Sequence, residues 1–301
     1  MATITLKNLV KEYYLCFEFK GLRDETKQQY QYFLNVLLDT KLPDFDKRLG
    51  DKPIDNLTTL MAKNAYNDWC GRGIHLANHV MSVSRVVFNY AIGMEKINKN
   101  PFFSVKKRIP ERRKTIWTKQ NIKDFLNLSY ANFKTRNIGL IAHMAYDWCQ
   151  RLGDMRLLKW DNLDLDNQRM HVEQSKRRAE VFLPIGDQLG EMLMQQKEDF
   201  GFQEYVAPHI KPKKGIYQPY SLYRLPKVAK KIMREANLPD DLRLSDLRRT
   251  GTVEMVDAGV SMGNIMSVTG HSNPQSVKPY MKNTYKSANL ALNQRKQLTE
   301  D

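Results

Sequence analysis

The sequence predicts a two-domain, mainly α-helical protein with a small antiparallel β-sheet in its C-terminal domain. Three observations lead there. Apolar residues recur at helical spacing through the first block of the chain. A basic stretch broken by Pro110, FFSVKKRIPERRKT, then reads as an interdomain linker. Beyond it, short strand-like runs interrupt an otherwise helical pattern. A length of 301 residues suits two domains of ordinary size or one large one, and 42% apolar residues are enough to build cores. The expected boundaries are 1–105 for the helical first domain, 106–116 for the linker and 117–301 for the second domain with its tail.

The elements follow in order. Leu6, Val10, Tyr13 and Tyr14 mark a first helix, and Tyr30, Phe33, Leu34 and Leu37 a second. Asn56 or Thr58 is placed to cap a helix running to about Cys70, and another covers roughly Leu76 to Met94. Asn98, Asn100 and Pro101 close that block. In the second block Thr118 is an N-cap candidate for a helix over 119–130, followed by one over 136–149. Leu163–Val172 and Val181–Pro184 read as strands separated by the polar run QSKRRAE, a hairpin signal. Helical patterns resume over 186–199, 219–236, 245–258, 261–269 and 273–282.

The net charge of +15 and pI of about 9.6 favour a polyanionic partner, nucleic acid being the usual one, or else a basic protein kept soluble by its charge. The three cysteines, Cys16, Cys70 and Cys149, are odd in number and widely spaced, which excludes a disulfide framework or a Cys-x-x-Cys metal site and suits a reducing compartment. No signal-peptide layout and no apolar run of about 18 residues is present, so a cytoplasmic protein without a membrane span is expected.

Nucleotide and hydrolase motifs are missing: there is no P-loop and no G-x-S-x-G. His75 and His79 share a helix face, but no Glu lies between them, so the H-E-x-x-H metal pattern fails and no metal ligand set is expected. His143, His171 and His209 have no motif around them and read as structural or surface residues. What the sequence does hold is a series of separate segments. WCQRLGDMRLLKWDNLDLD carries Arg151 and Asp154. EQSKRRAEVFLPI places Lys176 at a hairpin tip. LRLSDLRRTGTVEMVDAGVSMGNIMSVTGHSNPQSVKPYMKNTY supplies Arg248, His271 and Tyr280. Each residue alone has an ordinary reading as a surface arginine, a solvated pair or a half-buried tyrosine. Their joint order points elsewhere.

That order resembles the tyrosine recombinases, or phage-type integrases. Their first arginine box reads like T-G-x-R-x-x-E followed by Trp-Asp; here Arg151, Asp154, Trp160 and Asp161 fall at the matching intervals, with Trp148-Cys149 where Thr-Gly would stand. Gln174-Ser175-Lys176 matches a Q-S-K-T-G-like turn. Ser245-Asp246-Leu247-Arg248-Arg249-Thr250 matches H-D-L-R-R-T in all but its first residue. Gly270-His271 and Tyr280 keep the family's nine-residue interval from histidine to nucleophile. The motifs span about 148 to 280; the first block matches the family's core-DNA-binding domain by size and helicity alone.

The resemblance implies an enzyme that cleaves and rejoins DNA through a covalent 3′-phosphotyrosine at Tyr280. Arg151 and Arg248 would grip the non-bridging oxygens, His271 would add a hydrogen bond and Lys176 would protonate the leaving 5′ oxygen. Asp154 would orient Arg151. No cofactor is implied, because the arginines supply the positive charge. Ser245 departs from the family's histidine: it either keeps the phosphate contact in an active enzyme or leaves a weakened site on a protein that only binds DNA. A type IB topoisomerase-like enzyme shares the chemistry. Tyr285 is a second candidate nucleophile, but five residues turn a continuous helix by roughly 140°, away from Tyr280.

The implied partners are double-stranded DNA and three further copies of the chain, a homo-tetramer on paired sites, for phage or mobile-element integration and excision. Lys107, Arg108 and Arg113, with Lys106, Arg112 and Lys114, would follow the DNA backbone. The tail SANLALNQRKQLTED would pack in cis or on a neighbour. Because the chain opens directly on a helical pattern, the arm-binding domain of some integrases is not expected, while accessory DNA-bending or directionality proteins are compatible with the reading. Binding to duplex DNA is expected to weaken steeply with salt through counterion release; titrations at several ionic strengths check this, and a shallow dependence counts against a clamp on the backbone.

Overall fold

The computed structural model describes residues 4–42, 45–111, 113–176, 178–281 and 285–297. The chain divides into two units, Met1–Arg113 and Lys114–Asp301, each with its own apolar core.

The first unit is built on α1 (Leu6–Leu15), α2 (Phe17–Lys20), α3 (Asp24–Asp39), α4 (Thr59–Arg72) and α5 (Ile74–Gly93). Side chains start three of these helices, Cys16 capping α2 with its sulfur 3.4 Å from the Phe19 amide. The Thr5 hydroxyl accepts from the Asn8 amide at 3.3 Å and the Thr58 hydroxyl from the Met61 amide at 3.2 Å, which settles the choice between Asn56 and Thr58. Leu6, Leu9, Leu34, Leu37, Trp69 and Phe88 are fully buried between the helices. Trp69 donates its indole N–H to the Thr40 hydroxyl at 2.8 Å, so the polar edge of the largest core residue is satisfied. A short antiparallel pair, β1 (Lys41–Leu42) and β2 (Phe45–Arg48), adds strand to a block expected to be wholly helical. Strands this short show no alternation to read.

Past α5 the chain turns back along that helix. The Arg85 guanidinium donates to the carbonyls of Phe102 (2.9 Å), Phe103 (3.1 Å) and Val105 (2.5 Å). Asn78 donates to the Arg108 carbonyl at 2.8 Å, and the Arg108 amide donates to the Tyr66 hydroxyl at 2.6 Å. The basic segment therefore starts as a strap held to α4 and α5. Lys107 donates to the Ser82 hydroxyl, and burial together with the nearby Arg85 charge holds its ammonium below the usual lysine range. Arg113 is half-buried, and Arg112 lies outside the described residues.

The second unit opens with α6 (Lys119–Tyr130), capped by Thr118, whose hydroxyl accepts from the Asn121 amide at 3.1 Å. Then come α7 (Phe133–Asp147) and α8 (Leu152–Met155). The α7 helix is the axis of the unit: every residue from Arg136 to Ala145 is buried. A three-stranded antiparallel sheet follows, β3 (Leu163–Asp164), β4 (Arg169–Glu173) and β5 (Glu180–Pro184), in that spatial order. The run expected as one strand over Leu163–Val172 is thus two, split by a turn with Gln168 at φ 51°. Met170, Val172, Val181 and Leu183 face the core while His171 and Phe182 stack on the outer face at 4.2 Å. Four helices complete the unit: α9 (Asp187–Phe200), α10 (Arg224–Glu235), α11 (Leu247–Asp257) and α12 (Met262–Thr269); α13 (Tyr285–Gln297) lies beyond residues 282–284.

Two expectations are corrected here. The helix expected from 219 begins at Arg224, because Pro219 bridges to Pro208 and the Ser221 hydroxyl accepts from the Arg224 amide at 3.1 Å. The helix expected over 273–282 is instead two 3-10 turns, Pro274–Ser276 and Lys278–Tyr280. Pro274 and Pro279 bring no N–H to an α-helical ladder. Met281 is extended, with φ −76° and ψ 115°, so no continuous helix links Tyr280 to Tyr285 and the helical-phase argument against Tyr285 falls away. The Tyr285 side chain and residues 298–301 of the tail lie outside the described residues. Among the described residues no helix is long and apolar enough to cross a membrane.

The strap yields a prediction. Arg85→Ala removes three charge-assisted hydrogen bonds and is expected to cost roughly 1.5–3 kcal/mol of first-unit stability. It should also raise amide exchange over 102–108. Urea unfolding with hydrogen-exchange mass spectrometry reads both, and unchanged protection there would contradict the role given to Arg85.

Candidate active site

Three ends of elements meet in the second unit. Arg151 stands at the start of α8, Gln174 at the end of β4, and Thr269, Gly270 and His271 at the end of α12, where Arg248 reaches them from α11. The convergence depends on α7 and α11 packing closely. Tyr146 donates to the Glu254 carboxylate at 2.7 Å across them, and burial with this carboxylate contact pushes the phenol well above its usual range. A Cβ at Gly251 would stand 2.5 Å from the Cys149 sulfur and 2.9 Å from the Tyr146 carbonyl, so only glycine allows the approach.

Cys149 holds φ 50°, the left-handed region that glycine occupies without cost. This is the position at which the family's box carries its glycine. The backbone turn is kept here by a cysteine whose thiol burial pushes up to about 12.

Arg248 is buried. Its Nη2 donates to the Thr269 carbonyl at 2.8 Å and lies 3.1 Å from His271 Nε2. The Thr269 hydroxyl donates to the Ile265 carbonyl at 2.7 Å, so it accepts from His271 Nδ1 at 2.7 Å. The imidazole is then the Nδ1–H tautomer, with Nε2 accepting from Arg248. Arg248 Nη1 is buried with no hydrogen-bond partner. Burial first, and the neighbouring Arg151 charge second, push the Arg248 guanidinium down to about 10. An unsatisfied buried donor on a disfavoured cation, next to a second cation, is a site waiting for an anion.

Arg151 is one-quarter exposed and donates through Nη1 to Gln174 Oε1 at 2.6 Å. Asp154 Oδ2 lies 3.8 Å from that same nitrogen, while its Oδ1 accepts from the Ser175 amide (3.1 Å) and hydroxyl (2.5 Å). Asp154 therefore holds the root of the β4–β5 hairpin as well as facing Arg151. Lys176 follows directly, exposed at the tip, and Arg177 lies outside the described residues.

Tyr280 is half-buried, its ring centroid 6.3 Å from that of His271, with the Arg249 guanidinium 5.7 Å from the ring centre. Ser245 sits exposed on the 3-10 turn Leu244–Asp246, and among the described residues no hydrogen bond joins it to Arg151, Arg248 or His271. It borders a cavity of about 320 Å³ lined also by Leu152, Pro226, Met233 and Leu244. The structure thus gathers Arg151, Asp154, Arg248, His271 and Tyr280, and leaves Lys176 and Ser245 on exposed turns beside them. Sequence reasoning gave no role to Gln150, Gln174 or Thr269; Gln174 was visible only as part of a motif.

The other histidines lie elsewhere. His143 is buried between the Tyr130 hydroxyl (2.8 Å) and Asp147 (3.3 Å), and His79 stacks on Phe33 at 5.0 Å.

The second unit is thus a mixed helical domain with a three-stranded sheet that brings two arginines, a histidine and a tyrosine to one place. The chain belongs to the phage integrase family, whose model matches residues 116–287. The integrase of Escherichia phage HK022 is 23% identical over 187 residues, 60% of this chain and 48% of that protein, so the chain matches about half the length of this curated relative. Among solved structures, a lambda integrase tetramer bound to a Holliday junction superimposes with a TM-score of 0.76 at 18% identity, covering 94% of this chain and 78% of that one. A lambda integrase dimer on a COC′ core site gives 0.75 at 18%, covering 93% and 78%. The Tn1549 transposon integrase with a circular intermediate DNA gives 0.75 at 16%, covering 97% and 99%. At these identities the likeness is one of fold.

The sign of the Arg248 shift makes a prediction. A base held below its ordinary value is disfavoured as a cation in the fold, so it costs stability at every pH below about 10, and the cost is relieved as pH rises from there toward the ordinary arginine range. Arg248→Met is expected to stabilise the DNA-free protein at pH 7 by on the order of 1–3 kcal/mol. Sulfate should raise the melting temperature of the parent and not of the variant. A variant less stable than its parent in sulfate-free buffer would refute the anion-site reading of Arg248.

Proposed function

We propose that the protein is a site-specific DNA recombinase acting on double-stranded DNA through a covalent 3′-phosphotyrosine at Tyr280. The observation that carries the reading is the buried, unpartnered Nη1 of Arg248 beside Arg151, with the Tyr280 phenol alongside.

The scissile phosphate takes the place of the missing anion, its non-bridging oxygens gripped by Arg248 and Arg151. His271 adds a hydrogen bond once its Nε2 carries a proton. The Tyr280 oxygen attacks phosphorus and its proton leaves to solvent. The bond from phosphorus to the 5′ oxygen breaks, and that oxygen takes a proton from Lys176, delivered by the hairpin whose root Asp154 holds. A 5′ hydroxyl of another strand then reverses the step, so the phosphodiester energy is conserved and no nucleotide is consumed. Exchange between two duplexes requires four nucleophiles, which fits a homo-tetramer on paired sites serving phage or mobile-element integration and excision. Lys107, Arg108 and Arg113 contribute backbone contacts from the strap and linker, and 1–105, 106–116 and 117–301 serve as core-binding domain, linker and catalytic domain. In this reading Ser245 offers one neutral hydrogen bond where the family has an imidazole.

The test uses a randomised pool of nicked duplexes, on which cleavage releases a short strand and traps the enzyme. Covalent adducts recovered on denaturing gels and sequenced give the target. The expected result is an adduct abolished by Tyr280→Phe; no adduct at any pH would leave a DNA-binding protein, and an adduct persisting in that variant would move the nucleophile elsewhere. Relaxation of plasmids lacking the selected site would favour the topoisomerase alternative. Ser245→His, with the adjoining cavity to receive the ring, is expected to keep at least the parent's cleavage rate; complete loss would mean the hydroxyl has a role that imidazole cannot fill.

A further inference from the structure

We infer that Gln174 is a positioning residue that sets the spacing of the two phosphate-gripping arginines and ties the Lys176 hairpin to them. The inference rests on the reading of this site as a phosphodiester-cleaving centre.

Gln174 is fully buried, and both donors and the oxygen of its amide are hydrogen-bonded. Oε1 accepts from Arg151 Nη1 at 2.6 Å. Nε2 donates to Gln150 Oε1 at 2.6 Å and to the Thr269 carbonyl at 2.9 Å. The Thr269 carbonyl also accepts from Arg248 Nη2 at 2.8 Å. One amide thus touches Arg151 directly and reaches Arg248 through a single shared oxygen. Burial first and the Arg151 charge second hold the Arg248 guanidinium low, and Asp154 lies 3.8 Å from Arg151 Nη1 alone, so the amide of Gln174 is the neutral group that joins the two arginines.

The amide orientation is fixed by its surroundings. A flip would turn Nε2 toward the Arg151 donors and Oε1 toward two acceptors. Gln150 cannot rotate to compensate, because its own Nε2 donates to the Trp148 and Val268 carbonyls, both at 2.7 Å. A glutamate would set a charge against the Gln150 and Thr269 oxygens. Gly270 completes the fit: it ends α12 at φ 66°, and a Cβ there would lie 2.5 Å from Gln174 Nε2. His271 follows at once, so the same contact places the imidazole.

The backbone of Gln174 performs the second task. Its N–H donates to the Ala179 carbonyl and its carbonyl accepts from the Arg178 amide, both at 2.9 Å, closing the hairpin that carries Lys176. Ser175, the next residue, is held by Asp154. The general acid's hairpin and the arginine pair therefore share one anchor.

The test uses the full chain with labelled arginine and Gln174→Met, which keeps the volume and removes the amide. NMR rates of guanidinium rotation for Arg151 and Arg248, assigned with Arg151→Ala and Arg248→Ala, are expected to rise roughly 10-fold or more, with Arg136, paired to Asp199, unmoved. Unchanged rates for Arg151 and Arg248 overturn the inference. On the duplex recovered from the adduct selection, Gln174→Met should slow cleavage by about 100-fold. In an Arg151→Ala background Gln174→Met should slow cleavage by well under its effect in the parent, a non-additivity that general loosening of the fold does not produce; additive losses also overturn the inference. If Gln174→Met does not fold, Gly270→Ala displaces the same amide from the opposite side and should accelerate the same two rotations. A parent that forms no adduct while the rotations respond refutes the cleavage reading and leaves the positioning of the arginines standing.

Discussion

The second unit is organised around a cost: a buried guanidinium, Arg248, held next to another, Arg151, while the Asp154 carboxylate lies 3.8 Å from Arg151 and spends its other oxygen on the hairpin. Buried charge without a counter-charge is expensive, and proteins usually avoid it by pairing. Here the neutral donors and acceptors of Gln174, Thr269 and His271 fix the geometry while leaving Nη1 unsatisfied. The chain ends around the site follow from that need. Arg151 comes just after α7, Gln174 at the close of a strand, and Gly270-His271 at a helix end with a left-handed cap.

Such a site is prepared before its ligand arrives. Preorganised cations aimed at developing charge act most strongly where they need not reorganise, and the rigid elements around α7 supply that stiffness. In the proposed reading, the groups that would move a proton or form a bond, Lys176 on an exposed turn and the half-buried Tyr280 on a 3-10 turn, lie outside the rigid part of the site. The division is sensible physics. Electrostatic grip benefits from burial, whereas a nucleophile and an acid must reach and release a polymer.

Much of this was legible in the residues, and the misses have identifiable causes. Thr58 and Thr118 were readable as caps because capping is local chemistry. The β3–β4–β5 sheet was partly readable, since alternation survives in Met170-His171-Val172, but the turn at Gln168 splits what looked like one strand. The helix expected over 273–282 fails on Pro274 and Pro279, whose missing N–H groups override the apolar spacing locally. The β1–β2 pair was invisible because two to four residues carry no period. Cys149, out of place beside the family's glycine, is explained by its positive φ, which no sequence pattern displays.

By itself, the sequence determined the mainly helical two-part plan, the family resemblance, and the identity of the arginines, histidine, lysine and tyrosine that the proposed reading offers to a phosphate. Those features are carried by spacing along one chain. Only the tertiary structure decided that Gln174 joins Arg151 to the Thr269 carbonyl, that Arg248 keeps one donor unspent, and that Ser245 stands apart beside a cavity. Each of these is a matter of two or three ångströms between residues separated by tens of positions. Hydrogen-bond satisfaction is settled by which groups burial leaves within reach of one another, and that is fixed by packing rather than by order along the chain.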